Sequence, residues 1–382
     1  MPGTQREARS EWDYSLTVLS TPVMAGCGRV CVEIASKCWE VTKRGPIMQR
    51  SKRQLTAAMT VAAVLGFVGG HALAQTTNLK LAHGATTDQA LGKGMLKFAE
   101  LVKSKSDGKV NVETHLAGSL YSERTALEAM VNGAIDLGGA SNANWAAFTN
   151  TFLFMDLPYV FDSEASFRTA LDGVLGDEIR KRMDRDGFKL LMILDNGGFR
   201  EIINTKREIK VPADVKGLKF RTTASPVEIA MFKNWQGITT AIDWAETYNA
   251  MGSGVVDGTS GQPTWFAAAK HYEVAKYAVQ NKAVIGISTL AMRKDRFDGL
   301  PAAIQKVLLD AAKEAQPYSN KLDQESLESS LAQARKLGVK TYTPTPEEMK
   351  GWRSTGRAIW KDFDSKIDKD LFNIVLKSQQ GK

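Results

Sequence analysis

Two arginines in polar, glycine-containing surroundings are the residues of this sequence best suited to bind an anion. Arg200 follows the segment 196–199, which contains two glycines, and Arg221 is followed by three hydroxyl-bearing residues within four positions. A guanidinium is permanently charged and presents paired N–H donors that match the two oxygens of a carboxylate. The pattern predicts an organic-acid site at Arg221, with Arg200 as a weaker candidate. A surface salt bridge is the alternative for each arginine.

The sequence lacks the common catalytic motifs: a phosphate-binding glycine loop, a G-x-S-x-G elbow and an H-E-x-x-H pair. After residue 74 there is no cysteine. The histidines of that part are isolated from one another: His83, His115 and His271. We therefore predict no catalytic residues, no cofactor and no metal.

The elements that would position Arg221 alternate between strands and helices. Strands are predicted at 78–83, 109–114, 134–140, 189–194, 201–204, 218–221, 237–241, 255–259 and 283–292. Helices are predicted over 92–105 and after Ser122, a residue type that caps helix N-termini. This alternation is typical of an α/β fold with parallel strands. Arg221 would then lie at the carboxyl end of its strand, where ligands bind in open α/β sheets.

A helical pattern extends from Pro301 to about Lys336. At 1.5 Å per residue such a helix reaches about 50 Å, enough to lie across two domains. Pro317 leaves two alternatives, one kinked helix or two consecutive helices. Because no flexible linker divides the chain, we expect strands or helices to cross between the domains and act as hinges.

The N-terminal part indicates export. Basic residues follow Met48 and precede the apolar run Leu55 to Val68, and small residues occupy positions 72 and 74. A run of about 14 apolar residues is too short for a permanent anchor and is typical of a cleaved leader. We predict a signal peptide over 48–74 and a periplasmic mature protein; an uncleaved anchor or a core helix is the alternative.

Residues 1–47 are predicted to be a non-native or misassigned extension, because an export leader belongs at the N-terminus. All three cysteines, Cys27, Cys31 and Cys38, lie in this segment. Removal of residues 1–74 takes nine of the 50 Lys and Arg and five of the 42 Asp and Glu. The net charge falls from +8 to +4. Since both signs are mixed along the chain, no nucleic-acid partner is predicted.

Several ordered blocks resemble the solute-binding proteins of TRAP (tripartite ATP-independent periplasmic) transporters, the DctP-type family. The blocks are 118–124 (GSLYSER), 133–136 (GAID), 157–161 (LPYVF), 212–226 (P-x-D-x-K-G-L-K-x-R-x-x-x-S-P) and 246–258 (ETYNAMGSGVVDG). The resemblance covers the chain from Asn78 to about Phe363. It implies a periplasmic-binding-protein-like fold of two α/β domains, with hinge strands and a long helix spanning both.

The resemblance also implies closure around one small carboxylate and ion-gradient-driven uptake through membrane permease subunits, by a monomeric binding protein. We expect domain I to comprise 76–198 and 286–325, and domain II to comprise 199–285 and 326–382. A binding protein for an ATP-driven importer or a sensor kinase is one alternative, which a neighbouring permease gene would decide. A secreted hydrolase using Asp195 or Glu123 as a base is another.

On the family pattern Arg221 matches the arginine that clamps the carboxylate, and Arg200 matches an assisting arginine. The loop after V-x-D-G, 259–265, lacks the family's usual Asn-Pro. Gln262 is therefore expected to substitute for the asparagine, and Trp265 to wall the pocket.

The end of the third strand supplies further predicted ligand contacts. Ser141 stands near the position of an acidic residue in sialic-acid binders, which argues against an amino sugar. Asn142, Asn144 and Trp145 are expected to line the cleft, with a capped turn as the alternative. Glu123 completes the predicted site. The ligand stays open among 2-oxo acids, C4-dicarboxylates, pyroglutamate and aromatic carboxylates.

Overall fold

The computed structural model describes residues 76–379. The extension 1–47, the predicted signal peptide 48–74 and the three cysteines lie outside the described residues. Within 76–379, two β-sheets and the helices packed on them form the protein. None of the helices found there has the length and apolarity needed to cross a membrane.

The first sheet has five strands in the order β2-β1-β3-β10-β4. They are β1 (Thr77–Ala82), β2 (Val110–His115), β3 (Leu137–Ser141), β4 (Phe188–Phe199) and β10 (Ile285–Arg293). β1 is parallel to β2 and β3, whereas β10 is antiparallel to β3 and β4. The prediction of parallel strands is therefore wrong for β10, because β10 returns from the second sheet beside β4, which leaves toward it.

The second sheet has six strands in the order β11-β9-β5-β8-β6-β7. They are β5 (Glu201–Asn204), β6 (Lys219–Thr222), β7 (Ile238–Ala241), β8 (Gly258–Gly261), β9 (Tyr277–Val279) and β11 (Lys340–Tyr342). β6 is parallel to β7 and β8, while β5 is antiparallel to β8 and β9, so the prediction of parallel strands is also wrong for β5. β9 and β11 were not predicted; three residues are too few for a periodic pattern.

Helices cover both sheets. Those of residues 76–379 are α1 (Ala90–Lys105), α2 (Glu123–Val131), α3 (Glu164–Leu171), α4 (Val174–Arg185), α5 (Pro226–Asn234), α6 (Trp244–Gly252), α7 (Pro263–Ala268), α8 (His271–Val274), α9 (Lys294–Asp298), α10 (Ala302–Lys336), α11 (Pro346–Arg357) and α12 (Lys369–Gln379). Ser122 caps α2 as predicted, its side chain accepting the N–H of Thr125.

Two of the segments in which the chain crosses between the sheets are adjacent. β4 ends one residue before Arg200 and β5 begins one residue after it, while 280–284 lead from β9 back to β10. The backbone N–H of Arg200 donates to the carbonyl of Val284 at 2.8 Å, so the two crossing segments lie side by side. Crossings between the sheets are present as expected, and their action as hinges stays a prediction.

The helix α10 runs without interruption through Pro317 for 35 residues, which decides between the two predicted alternatives. Its first half packs Leu308, Ala311 and Ala315 into the core of the first sheet. Near its other end Ala334 packs in a cluster with Ile203 of the second sheet. The long helix therefore contacts both sheets, as the resemblance implies.

α10 also protects the edge strand β4. Three alternate backbone N–H groups of this strand are accepted by side chains of α10, in the pairs Ile193–Gln316 (2.9 Å), Asp195–Asn320 (2.9 Å) and Gly197–Asp323 (2.8 Å). Acceptors three and four residues apart share one helix face. An open edge would otherwise expose unpaired backbone groups.

Candidate functional site

A cavity of about 390 Å³ lies between the two sheets, within the range of about 300–1,000 Å³ that holds small molecules. Seven of the nine residues expected at the site line it: Glu123, Ser141, Asn144, Arg200, Arg221, Gln262 and Trp265. We call the side formed by α2 and β3 the first wall. The side formed by the segments after β4, β6, β7 and β8 is called the second wall.

Glu123 is the centre of the first wall and the first residue of α2. Its Oε2 accepts hydrogen bonds from Ser141 Oγ at 3.1 Å and from Asn144 Nδ2 at 2.9 Å. Its Oε1 is buried and has no hydrogen-bond partner among the described residues. Burial raises the pKa of the Glu123 carboxyl, and the bonds from Ser141 oppose this only in part.

A glycine gives the Glu123 side chain its space. A Cβ placed on Gly84 would lie 2.8 Å from the Cγ of Glu123, closer than carbon atoms approach without displacement. Gly84 follows β1, so the first wall is assembled from the ends of β1 and β3 together with the start of α2.

Arg221 is the cation of the second wall. It is in β6 and is 5% exposed. Its Nε donates to the carbonyl of Ile242 at 2.7 Å, and its guanidinium carbon lies 5.4 Å from the ring centre of Trp244. Burial lowers the pKa of Arg221, although a guanidinium keeps its charge in proteins. No carboxylate of residues 76–379 forms an ion pair with it.

Arg200 differs from Arg221 because a buried carboxylate neutralises it. Arg200 Nη1 donates to Glu228 Oε1 at 3.2 Å, and both side chains are less than a tenth exposed. The second oxygen of Glu228 accepts the N–H and the hydroxyl of Thr223 at 2.9 and 2.5 Å. The Nε of Arg200 remains buried without a partner in the described part of the chain.

Trp265 and Gln262 are at the start of α7 and close the second wall. Trp265 Nε1 donates to Asn196 Oδ1 at 2.7 Å, and its ring meets that of Trp244 edge to face at 5.6 Å. Gln262 is 4% exposed, and its Nε2 has no partner within the described residues. These two contacts fix the position of the Trp265 ring, which is predicted to form part of the pocket wall.

Sequence reasoning missed Trp244 and Asn196, which also line the cavity. Trp244 begins α6 directly after Asp243, two residues before the block 246–258 that carries the resemblance. Asn196 is the first residue of the glycine-containing segment 196–199 that precedes Arg200. The available signal for Trp244 was its place beside an aspartate, a residue type that favours helix N-termini. No separate signal distinguished Asn196.

Two expectations at the end of β3 are wrong, those for Asn142 and Trp145. Asn142 is 1% exposed and lies behind the cavity, where its Nδ2 donates to Asp156 and its Oδ1 accepts the N–H of Ile287. Trp145 is fully buried, and its Nε1 donates to Thr289 Oγ1 at 2.9 Å. The tight turn after β3 directs only Asn144 and Ser141 to the cavity.

Asp195, the base in the hydrolase alternative, lies outside the cavity. It pairs with Arg168 at 2.8 Å and accepts from Gln324 Nε2 at 3.0 Å.

Burial lowers the pKa of His83 to about 4 and that of His271 to about 3. Between residues 76 and 379 no cluster of three metal-ligating side chains occurs.

The two walls contact each other at the cavity mouth. Asp243, at the start of α6, accepts from Ser122 Oγ at 3.1 Å and from Arg124 Nε at 3.2 Å. Both donors belong to the start of α2 on the first wall. Behind the cavity, Asp156 accepts from Ser225 Oγ at 2.6 Å, so that carboxylate also joins the two sides.

Two linked β-sheets covered by helices, a long helix across both sheets and a polar cavity between them define a two-domain binding protein. The family model described as bacterial extracellular solute-binding protein, family 7 (DctP) matches residues 81–366. The chain belongs to this family, which confirms the resemblance drawn from the sequence.

Relatives and solved structures agree with this assignment. The chain is 30% identical to the C4-dicarboxylate-binding periplasmic protein DctP of Rhodobacter capsulatus, over 85% of this chain and 97% of that protein. It is 26% identical to the 2,3-diketo-L-gulonate-binding periplasmic protein YiaO of Escherichia coli, over 76% of this chain and 88% of that one.

Among solved structures, the sugar acid binding protein DctPAm of Advenella mimigardefordensis, in complex with galactonate, superposes with a TM-score of 0.76 at 26% identity. The match covers 80% of this chain and 99% of that one. A TRAP periplasmic solute binding protein of Sulfurospirillum deleyianum with bound succinate gives a TM-score of 0.75 at 27% identity, with the same coverage.

Proposed function

We propose that this protein captures a small organic carboxylate in the cavity and delivers it to the membrane subunits of a TRAP transporter, without catalysing a reaction. The observation that carries the proposal is Arg221, a buried guanidinium that lines the cavity and forms no ion pair within the described residues. An uncompensated buried charge is costly. The carboxylate of a ligand would supply the missing partner.

The relatives support an acid as ligand. The solved neighbours contain galactonate or succinate, and the named relatives bind C4-dicarboxylates or 2,3-diketo-L-gulonate. All these molecules carry a carboxylate and differ in the rest of their structure. Several relatives are periplasmic proteins, in agreement with the leader predicted over 48–74.

Capture is proposed to work by closure of the two domains around the ligand. With domain I at 76–198 and 286–325, and domain II at 199–285 and 326–382, the first wall belongs to one domain and Arg221 to the other. A ligand that contacts both walls binds the closed form more tightly than the open form. It thereby shifts the population toward closure.

The test is calorimetry on the mature protein after a thermal-shift screen of organic acids, since a bound ligand raises the apparent melting temperature. Arg221→Ala is expected to weaken binding of the selected acid by about 100-fold or more, because a charged, hydrogen-bonded contact typically contributes 2–5 kcal/mol. Circular dichroism should show an unchanged fold.

The matched control is Arg335→Ala, which removes an exposed arginine at the end of α10 that pairs only with Glu328. Its affinity for the acid should equal that of the unchanged protein. An unchanged affinity in the Arg221→Ala variant would contradict the proposal.

A further inference from the structure

Three residues that line the cavity each carry one buried polar atom without a partner in the described part of the chain. They are Glu123 Oε1, Arg200 Nε and Gln262 Nε2. Buried polar atoms in folded proteins nearly always have a hydrogen-bond partner, and exceptions require an explanation. A ligand is the simplest partner for all three, because the three residues that carry them line the same cavity.

These atoms are chemically unequal. Arg200 Nε and Gln262 Nε2 are donors and suit the oxygens of an acid, whereas Glu123 Oε1 is an acceptor when the carboxyl is ionised. The ligand must therefore accept hydrogen bonds on the side of the second wall and donate one on the side of the first.

The charged residues of the cavity also distinguish the second wall, which suits an acid group, from the first wall, which does not. Arg200 is paired with Glu228 and Arg124 with Asp243, both at 3.2 Å. Among the described residues that line the cavity, this leaves Arg221 as the cation without an ion pair and Glu123 as a carboxyl without one. Glu246 adds a further acidic group on the exposed side. The cavity thus compensates one negative charge of a ligand and repels a second.

We infer that the ligand is a hydroxylated monocarboxylate, whose carboxylate contacts Arg221 and whose hydroxyl group donates a hydrogen bond to Glu123. The inference rests on the proposed function and narrows its ligand class. An unsubstituted acid would leave Glu123 Oε1 unsatisfied, and a dicarboxylate would set a second carboxylate against the carboxyl of Glu123.

Four six-carbon compounds test the need for one carboxylate and for hydroxyl groups by calorimetry at neutral pH. They are gluconate, hexanoate, adipate and the neutral sorbitol. Gluconate is expected to bind at least about 10-fold more tightly than hexanoate or adipate, because a site built for a hydroxyl strongly rejects the analogue without it. Sorbitol, which lacks a carboxylate, is expected to show no measurable binding.

The Glu123→Gln variant tests whether Glu123 causes the preference for gluconate over adipate. The substitution keeps the side-chain shape, removes the charge that repels adipate and replaces a charge-assisted hydrogen bond by a weaker one. The gluconate-to-adipate affinity ratio is expected to fall about 10-fold, equivalent to about 1.4 kcal/mol. Glu100→Gln, which changes the same charge at an exposed position of α1, is the matched control and should keep the ratio.

A protein that prefers adipate or hexanoate to gluconate would overturn the inference, and so would a ratio that Glu123→Gln leaves unchanged. In both cases the proposed function stands if Arg221→Ala still abolishes binding of the preferred acid. If no acid binds the folded protein, the proposed function itself fails. The ranking measured on the unchanged protein decides the inference even if Glu123→Gln does not fold.

Discussion

The two walls of the cavity have opposite chemistry. The first wall presents a carboxyl, Glu123, supported by a hydroxyl and an amide from the end of β3. The second wall presents two arginines, of which only Arg200 has a carboxylate partner. A ligand with both an acceptor and a donor satisfies both walls at once. In the proposed mechanism, the contacts that bind such a ligand are therefore also the contacts that favour closure.

Within the second wall, the two arginines are held in different ways. Arg200 lies in the crossing segment and is paired with Glu228, which Thr223 also contacts. Arg221 is positioned by a backbone carbonyl and an aromatic ring, neither of which neutralises it. The structure therefore assigns a supporting part to the first arginine and leaves the charge of the second available.

Removing the partner of Arg200 should give the largest effect. Glu228→Ala is expected to lower the free energy of unfolding by about 3–5 kcal/mol, because it leaves a buried guanidinium unpaired. Arg221→Met should lower that free energy by less than about 1 kcal/mol, since it removes a buried charge that has no ion pair. Urea denaturation of the ligand-free proteins measures both.

Glu325→Ala is the control for Glu228→Ala, since its carboxylate is exposed and contacts only Lys321 at 3.9 Å. It should change the free energy of unfolding by less than about 1 kcal/mol. Equal losses in the Glu228 and Arg221 variants would contradict the distinction between the two arginines.

A second prediction concerns Asp156, whose carboxylate joins the two sides of the site behind the cavity. Burial raises the pKa of this carboxyl from 3.8 to about 6, against the opposing effect of Arg200. The folded protein therefore holds this proton more tightly than the unfolded chain. Its contribution to stability is complete below pH 4 and is lost as the pH rises through 6.

Asp156→Asn should remove this pH dependence, because an amide resembles the protonated acid. Relative to the variant, the unchanged protein should lose about 3 kcal/mol of unfolding free energy between pH 4 and 7, at about 1.4 kcal/mol per pKa unit. Denaturation at several pH values measures the difference. Asp298→Asn, at an exposed position paired with Lys294, is the control; parallel pH profiles for Asp156→Asn and the unchanged protein would refute the prediction.

Much of the fold and of the second wall could be predicted from the sequence. Arg221 lies one residue before the end of the short strand β6 and is followed by hydroxyl residues in the same local segment. The strand 201–204 and the capping of α2 by Ser122 were likewise local patterns. Each depended on residues close in the chain, where spacing determines geometry.

The errors involve contacts between residues that are distant in the chain. Asn142 and Asn144 both looked suitable for the cleft, but successive positions of a tight turn face different directions. Only the packing of Asp156 behind β3 decides which one is buried. Likewise, the pairing of Arg200 with Glu228, 28 residues away, distinguishes the two arginines and has no local signature.

The smallest predicted effect is at the mouth, where Arg124 of the first wall contacts Asp243 of the second. Arg124 is 47% exposed, so Arg124→Ala should lower the free energy of unfolding by less than about 1 kcal/mol. The affinity for the acid should nevertheless fall a few-fold, because the contact joins the two walls and favours closure.

A double-mutant cycle with Asp243→Asn isolates this contact, since residues that interact directly give non-additive effects. If the walls communicate through the mouth, the second substitution should add little to the affinity lost in Arg124→Ala. Additive losses would mean that each residue acts on its own wall alone. Closure would then depend on the ligand, held between Glu123 and Arg221, rather than on contacts of the protein with itself.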